Sequence, residues 1–289
     1  MRKNVLLKFL LAYGLAVFSC TEKGSPGATS TVRVIAMSLP VVRIPVRVWN
    51  GDTSRSALLQ KPESLAMTVG GEDELPQGPQ SFEVLHDGGF VITDPLQQRL
   101  VFYDSLGKYL DSWWMGFPAN SVALMESGEL EVGHAVTEAI YLVDDTRQPR
   151  LVNPAGRGRR DAAMPGEAEM QRGTNHGHIT GPITRGGAAG TLEINFESDS
   201  TQMVSLESLG TDARGFTYVA LETAAADTVV KVKKIIRKYA ADGALVGQIL
   251  DIAIDYEVAP ADEFRVRQGL VYQLVPKQNE IQIRVWNTN

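Results

Sequence analysis

One cysteine, Cys20, and four histidines are all that 289 residues provide of the two most versatile metal-binding and nucleophilic side chains. A lone cysteine excludes an internal disulfide, and without a Cys-x-x-Cys pair there is no thiolate clamp for a metal. The sequence also lacks a phosphate-cradling Gly-x-x-x-x-Gly-Lys loop, an EF-hand acidic loop and a Gly-x-Ser-x-Gly nucleophile elbow. These absences leave nucleotide hydrolysis, calcium-hand and serine-hydrolase chemistry without a motif, and no cofactor is expected. Beyond the N-terminus no apolar run approaches the roughly 20 residues that span a bilayer. Charge of positive sign is scarce as well. The net charge is −6, which suits neither the phosphates of nucleic acid nor counterion release, so no nucleic-acid partner is expected.

The first twenty residues differ from the rest. Arg2 and Lys3 precede a mostly apolar stretch from Val5 to Phe18, interrupted by Lys8, and the stretch ends at Cys20. That order of charge, apolar core and small-residue end is the pattern of an export signal. The ending Val17-Phe18-Ser19-Cys20 resembles the lipobox of bacterial lipoproteins, with Phe18 where a small residue is usual. The resemblance implies cleavage before Cys20, lipid attachment to its thiol, and, with Thr21 following, an address at the outer membrane. The alternative is an ordinary signal peptide with a cysteine near its cleavage site. Loss of residues 1–19 removes Arg2, Lys3 and Lys8 and no acid, which moves the net charge from −6 to −9. Residues 1–19 are thus read as a signal peptide, 20–31 as a Gly/Ser/Thr/Pro-rich flexible tether, and 32–289 as one all-β domain.

Within that domain a unit recurs. Between Gly78 and Trp114 the chain alternates short apolar segments with turn chemistry: Asp87-Gly88-Gly89, Asp94-Pro95 and Ser105-Leu106-Gly107 separate four strands. Glycine adopts positive φ freely and aspartate bonds back to its own backbone, so each break has a cause. A second unit turns at Gly128, 40 residues after Gly88, and a third at Gly215, 87 residues later, close to twice that period. Four strands per roughly 44 residues is the period of a propeller blade. From Asn153 to Gly190 the pattern gives way to glycine, small residues and Arg157, Arg159, Arg160, Arg172 and Arg185, either a degenerate blade or an inserted loop. Arg47-Val48-Trp49-Asn50 recurs as Arg284-Val285-Trp286-Asn287, which suggests that the two chain ends share a sheet.

The segments Asp87–Asp94 with Arg99–Gly107, and Asp212–Val219 with Ile236–Gly243, resemble the repeats of NHL-type propellers. The resemblance implies a β-propeller, most simply of six four-stranded antiparallel blades. Five or seven blades, or a two-layer sandwich of many short strands, are the alternatives.

Candidate chemistry is sparse. His176-Gly177-His178 places two imidazoles on one side of an extended segment, where both can face one ion, but the sequence defines no third ligand and no metal is expected. His86 and His134 read as surface or channel-rim residues. The adjacent Trp113 and Trp114 point to opposite faces of a strand, so one belongs to the core and the other is available to a partner. Lys231-Val232-Lys233-Lys234-Ile235-Ile236-Arg237-Lys238 is the densest run of positive charge, either a stripe toward an acidic partner or headgroups, or lysines guarding an outer edge strand. The reading that follows is a lipid-anchored envelope module binding a protein, peptide or glycan, with Arg157, Arg159, Arg160, Arg172 and Trp114 as candidate contacts. Its rival is an extracytoplasmic propeller enzyme, a metal-dependent hydrolase or lyase with its site at the central channel.

Overall fold

A computed structural model of the chain describes residues 32–37, 39–48, 61–71, 74–137, 139–144, 146–152, 167–170, 175–181, 190–196, 198, 201–225 and 230–289. The strands are β1 (Arg33–Val34), β2 (Val42–Val48), β3 (Leu65–Met67), β4 (Phe82–Val84), β5 (Phe90–Asp94), β6 (Arg99–Tyr103) and β7 (Tyr109–Trp114). Then follow β8 (Ala119–Leu124), β9 (Leu130–His134), β10 (Ile140–Val143), β11 (Arg150–Val152), β12 (Glu167–Met170), β13 (His176–Gly181) and β14 (Gly190–Asn195). The chain ends with β15 (Thr201–Thr211), β16 (Thr217–Ala225), β17 (Lys231–Tyr239), β18 (Leu245–Ile249), β19 (Phe264–Arg267), β20 (Leu270–Pro276) and β21 (Glu280–Asn287). Among the described residues there is no α-helix, only a short 3-10 turn at Pro95–Gln97.

The strands form five sheets in chain order: β4 to β7, β8 to β11, β12 to β14, β15 to β18 extended by β1, and β19 to β21 extended by β2 and β3. The consecutive strands of each sheet form an antiparallel meander, to which β1 and β3 add in parallel, and β4, β8, β12, β15 and β19 lie on the inner side. β12 touches β15, β15 touches β19, β19 touches β4 and β4 touches β8. Successive small meanders set around a line of inner strands are the arrangement of a β-propeller. The described residues build five sheets, where division by a blade period predicts six. β1, β2 and β3 add to sheets built by later strands, and among the described residues β12 to β14 form a sheet of three strands.

The turns follow the predicted chemistry. The Asp87 carboxylate accepts the Gly89 N–H at 2.9 Å beside Gly88 at φ 85°, and the Asp212 carboxylate accepts the Arg214 N–H at 2.9 Å beside Gly215 at φ 86°. Apolar strands then bury both faces. In β5, Phe90 and Ile92 pack toward the fifth sheet while Val91 packs toward the second, which is why its sequence is continuous rather than alternating. Four apolar clusters join the fifth sheet to the first, the first to the second, the fourth to the fifth and the third to the fourth.

β2, near the start of the described residues, meets the C-terminal strand β21 in the fifth sheet. Val42 to Pro45 of β2 pair antiparallel with β21, and beyond Pro45 the strand turns its other edge to β3, pairing Val46 with Leu65 in parallel. Pro45, which has no N–H to donate, sits at that switch. Trp286 of β21 is fully buried, and its indole N–H donates to Asp251 Oδ1 at 2.9 Å. The segment before β3 is fastened from the first sheet. Arg99 Nε donates to Asp94 Oδ2 at 3.0 Å, and its other nitrogens donate to the carbonyls of Pro62 at 3.1 Å and Ser64 at 2.7 Å. Both partners of this pair are buried, and burial pushes the Asp94 carboxyl up to about 6 despite Arg99.

Candidate functional site

Two places combine polar or aromatic side chains that the core does not consume. The first is the line of inner strands. Glu83, between the buried Phe82 and Val84 of β4, turns the other way and meets Arg265 of β19, whose Nε lies 3.3 Å from Glu83 Oε2. Arg265 also reaches Asp262 at 3.1 Å and donates to the Val122 carbonyl of β8 at 3.2 Å, so one guanidinium ties three sheets together. Arg267, two residues on and on the same face, donates to the Val84 carbonyl at 2.6 Å and reaches His86 Nδ1 at 2.7 Å. Lys234 pairs with Glu263 and, at 2.9 Å, with Glu222. Burial raises the carboxyls of Glu83 and Glu263 above their ordinary value, outweighing the cations beside them. At Lys234 burial pulls downward, but its bonds to Glu263, Tyr256 and Glu222 win and raise the ammonium. Glu207 of β15 completes the group. It is open to solvent, yet the surrounding protein wall and the like charges of Glu263 and Asp262 raise its carboxyl.

The second place is β7. Trp113 faces the second sheet and packs on Phe102 with ring centroids 4.3 Å apart, while the Arg147 guanidinium lies 5.6 Å from its ring. Arg147 is held there by Asp111 Oδ2 at 2.6 Å. Trp114 takes the opposite face and is 64% exposed, together with Leu110 at 53%. Its indole is not loose on the surface. The chain turns at Gly116 with φ 77°, and a Cβ there would lie 3.3 Å from the Trp114 ring, so the ring rests over the glycine. Met115 and Phe117 on either side are buried in the cluster between the first and second sheets, which fixes the turn. An exposed tryptophan held in one orientation has little conformational entropy left to lose on meeting a partner.

The other sequence candidates fall in different places. Cys20, Arg157, Arg159, Arg160, Arg172 and Arg185 lie outside the described residues. His176 and His178 stand on one face of β13. His176 Nε2 is 3.2 Å from Glu193 and His178 Nε2 is 3.3 Å from Glu169. Among the described residues no three His, Cys, Asp or Glu side chains already converge on one point as a metal site would. His86 is exposed against Arg267, and His134 stacks on Phe117 at 5.0 Å.

The basic run is not a continuous stripe: β17 lies between β16 and β18 from Ile236 to Tyr239, whereas Lys231 to Ile235 pair with β16 and not with β18. Lys231 and Lys233 are exposed. Arg237 is buried, donates to the Asn195 carbonyl at 2.7 Å and lies 5.3 Å from the Phe196 ring. Lys238 is buried, donates to the Thr288 carbonyl at 2.7 Å and lies 4.0 Å from the Phe216 ring. Long basic side chains cover aromatic surface with their stems, so period-two alternation does not reveal which of them reach water. The inner-strand cluster was missed for a related reason. Its signal, one charge flanked by two buried apolar residues as in Phe82-Glu83-Val84, becomes visible only once β4 is known to be an inner strand.

No family model matches the chain, and no curated protein does. Solved structures similar to it include a gluconolactonase from Xanthomonas campestris, 11% identical over 88% of this chain and 99% of that one, with a TM-score of 0.35. A streptogramin B lyase is 8% identical over 72% of this chain and 93% of that one, with a TM-score of 0.33. A member of the DUF4221 family from Bacteroides vulgatus is 10% identical over 88% of this chain and 95% of that one, with a TM-score of 0.32. At these TM-scores the likenesses carry no argument about this chain's chemistry.

Proposed function

We propose that this chain is a lipid-anchored, NHL-like propeller of the bacterial cell envelope that binds a protein or glycan partner. Cys20 would carry the lipid at the outer membrane, residues 20–31 would serve as the tether, and the outer face of the first sheet around Trp114 would form the contact. The single observation that carries the binding reading is the seating of Trp114 over Gly116, exposed and oriented while its neighbour Trp113 is committed to packing. Trp and Arg are the side chains on which interface energy concentrates. Arg157, Arg159, Arg160 and Arg172 remain candidate contacts in the same reading. The inner-strand charges favour a structural role, because Arg265 and Lys234 spend their donors on carboxylates and carbonyls of neighbouring strands. The rival catalytic reading draws on Glu207, the open carboxyl among them. The anchor is tested by replacing Cys20 with serine. The wild-type chain should fractionate with membranes and yield an acylated N-terminal peptide by mass spectrometry. The variant should lose the acyl mass and leave the membrane fraction, and unchanged fractionation without lipid would defeat this reading.

A further inference from the structure

The third sheet departs from the rule that apolar clusters join neighbouring sheets. One of its faces, with Ile179, Leu192 and Ile194, packs into the cluster shared with the fourth sheet. The opposite face presents Glu169, His176, His178, Glu193 and Asn195, and among the described residues no apolar cluster joins the second sheet to the third. Register brings these groups together. His178 stands directly opposite Glu169 on β12 and Glu193 on β14, while His176 stands opposite Asn195. Residues at i and i+2 share a face, and cross-strand partners have Cβ atoms about 5 Å apart. Two imidazoles and two carboxylates therefore occupy one small area of sheet.

The hydrogen bonds add a second observation. His176 Nδ1 lies 2.7 Å from Asn195 Oδ1. An amide oxygen only accepts, so with that assignment Nδ1 carries the proton. Nε2 of the same ring faces Glu193 Oε2 at 3.2 Å, so an imidazole nitrogen and a carboxylate oxygen already stand side by side. A metal-ligating histidine that donates its other nitrogen to a fixed oxygen shows this same arrangement.

We propose that this face binds a divalent transition ion of the Zn²⁺ type, with His176 Nε2, His178 Nε2 and Glu193 as ligands and Glu169 as the fourth. Imidazole with carboxylate suits such ions, and tetrahedral coordination requires donors about 2 Å from the metal. In the described arrangement His178 turns to Glu169 and His176 to Glu193. Convergence on one ion requires side-chain rotation, which the half-exposed rings allow, and no movement of the strands. The ion would link β12, β13 and β14 through polar ligands on the face that, among the described residues, no apolar cluster covers.

The test is a titration of the untagged full chain in detergent with Co²⁺, read by its visible ligand-field bands, followed by displacement with Zn²⁺. One saturable equivalent with the intensity of a four-coordinate site is expected. His176→Ala and His178→Ala should each weaken it by about tenfold or more, and Asn195→Ala less, in line with the effect of losing a ligand or its orienting partner. Glu193→Gln keeps shape and size, and should weaken binding while leaving the far-ultraviolet circular dichroism unchanged. Absence of saturable binding would overturn the proposal, and so would binding that the four variants leave unaltered. These outcomes are independent of membrane attachment, so they do not depend on the role of Cys20.

Discussion

Replacing Arg99 with methionine removes the one cation buried beside Asp94 while keeping most of the side-chain length. Three bonds go with it: the pair with Asp94 at 3.0 Å and the donations to the Pro62 and Ser64 carbonyls at 3.1 and 2.7 Å. Breaking a buried ion pair from one side costs about 3 to 5 kcal/mol, because the remaining charge is left without compensation. Against a total stability of roughly 5 to 15 kcal/mol this is a large share. The loss should also depend on pH. In the wild type, burial raises Asp94 from 3.8 to about 6, so folding favours its protonated form. Stability from this group is therefore greatest at low pH and falls as pH climbs from the unfolded value through 6. The difference between those limits is on the order of 3 kcal/mol. Without Arg99 the carboxyl rises further, and the penalty of ionising it extends to higher pH. Urea denaturation followed by tryptophan fluorescence should show a larger loss for Arg99→Met at pH about 7.5 than at about 5. A loss below about 1 kcal/mol, or the same loss at both values, would refute the reasoning.

The wild-type melting temperature should rise as pH falls from about 7.5 to about 5, since Glu83, Glu207 and Glu263 share Asp94's upward shift and each is relieved by protonation. It should drop again as pH falls below the ordinary aspartate range: burial pushes the Asp212 carboxyl up, but its bonds from Phe216, Arg214 and Tyr218 win and hold it below its ordinary value, so protonating it removes stability. A profile that falls steadily with acidification from pH about 7.5 would contradict the first sign, and one that goes on rising below the ordinary aspartate range would contradict the second. Gly89→Ala places a Cβ 2.6 Å from the Tyr103 carbonyl and should cost about 1 to 3 kcal/mol in urea denaturation, whereas an unchanged midpoint would show that the turn can shift.

Much of the architecture was readable where chemistry is local. Asp87-Gly88-Gly89 and Asp212-Ala213-Arg214-Gly215 announced turns that form through carboxylate-to-backbone bonds. The repeated Arg-Val-Trp-Asn pointed to a sheet shared by β2 and β21, whose pairing runs over Val42 to Pro45, while Trp49 and Asn50 lie outside the described residues. Period two also placed His176 and His178 on one face correctly. What stayed hidden depends on register between distant strands. Nothing near Glu83 in the sequence points to Arg265, 182 residues away. Nothing near His178 selects Glu169 and Glu193 from the other acids. The places of β1, β2 and β3 were hidden for the same reason, because they look like the start of a unit and instead add to sheets formed by later strands.

The binding role of the first sheet's outer face is tested most directly by a photo-crosslinking residue placed at position 114 in living cells. Position 126, in an exposed turn of the second sheet, serves as the control. The account predicts a discrete crosslinked species at 114 that is missing at 126, and a Trp114→Ala variant that folds normally yet loses the same partner when crosslinked from position 110. No crosslink at 114, or the same pattern at both positions, would contradict it.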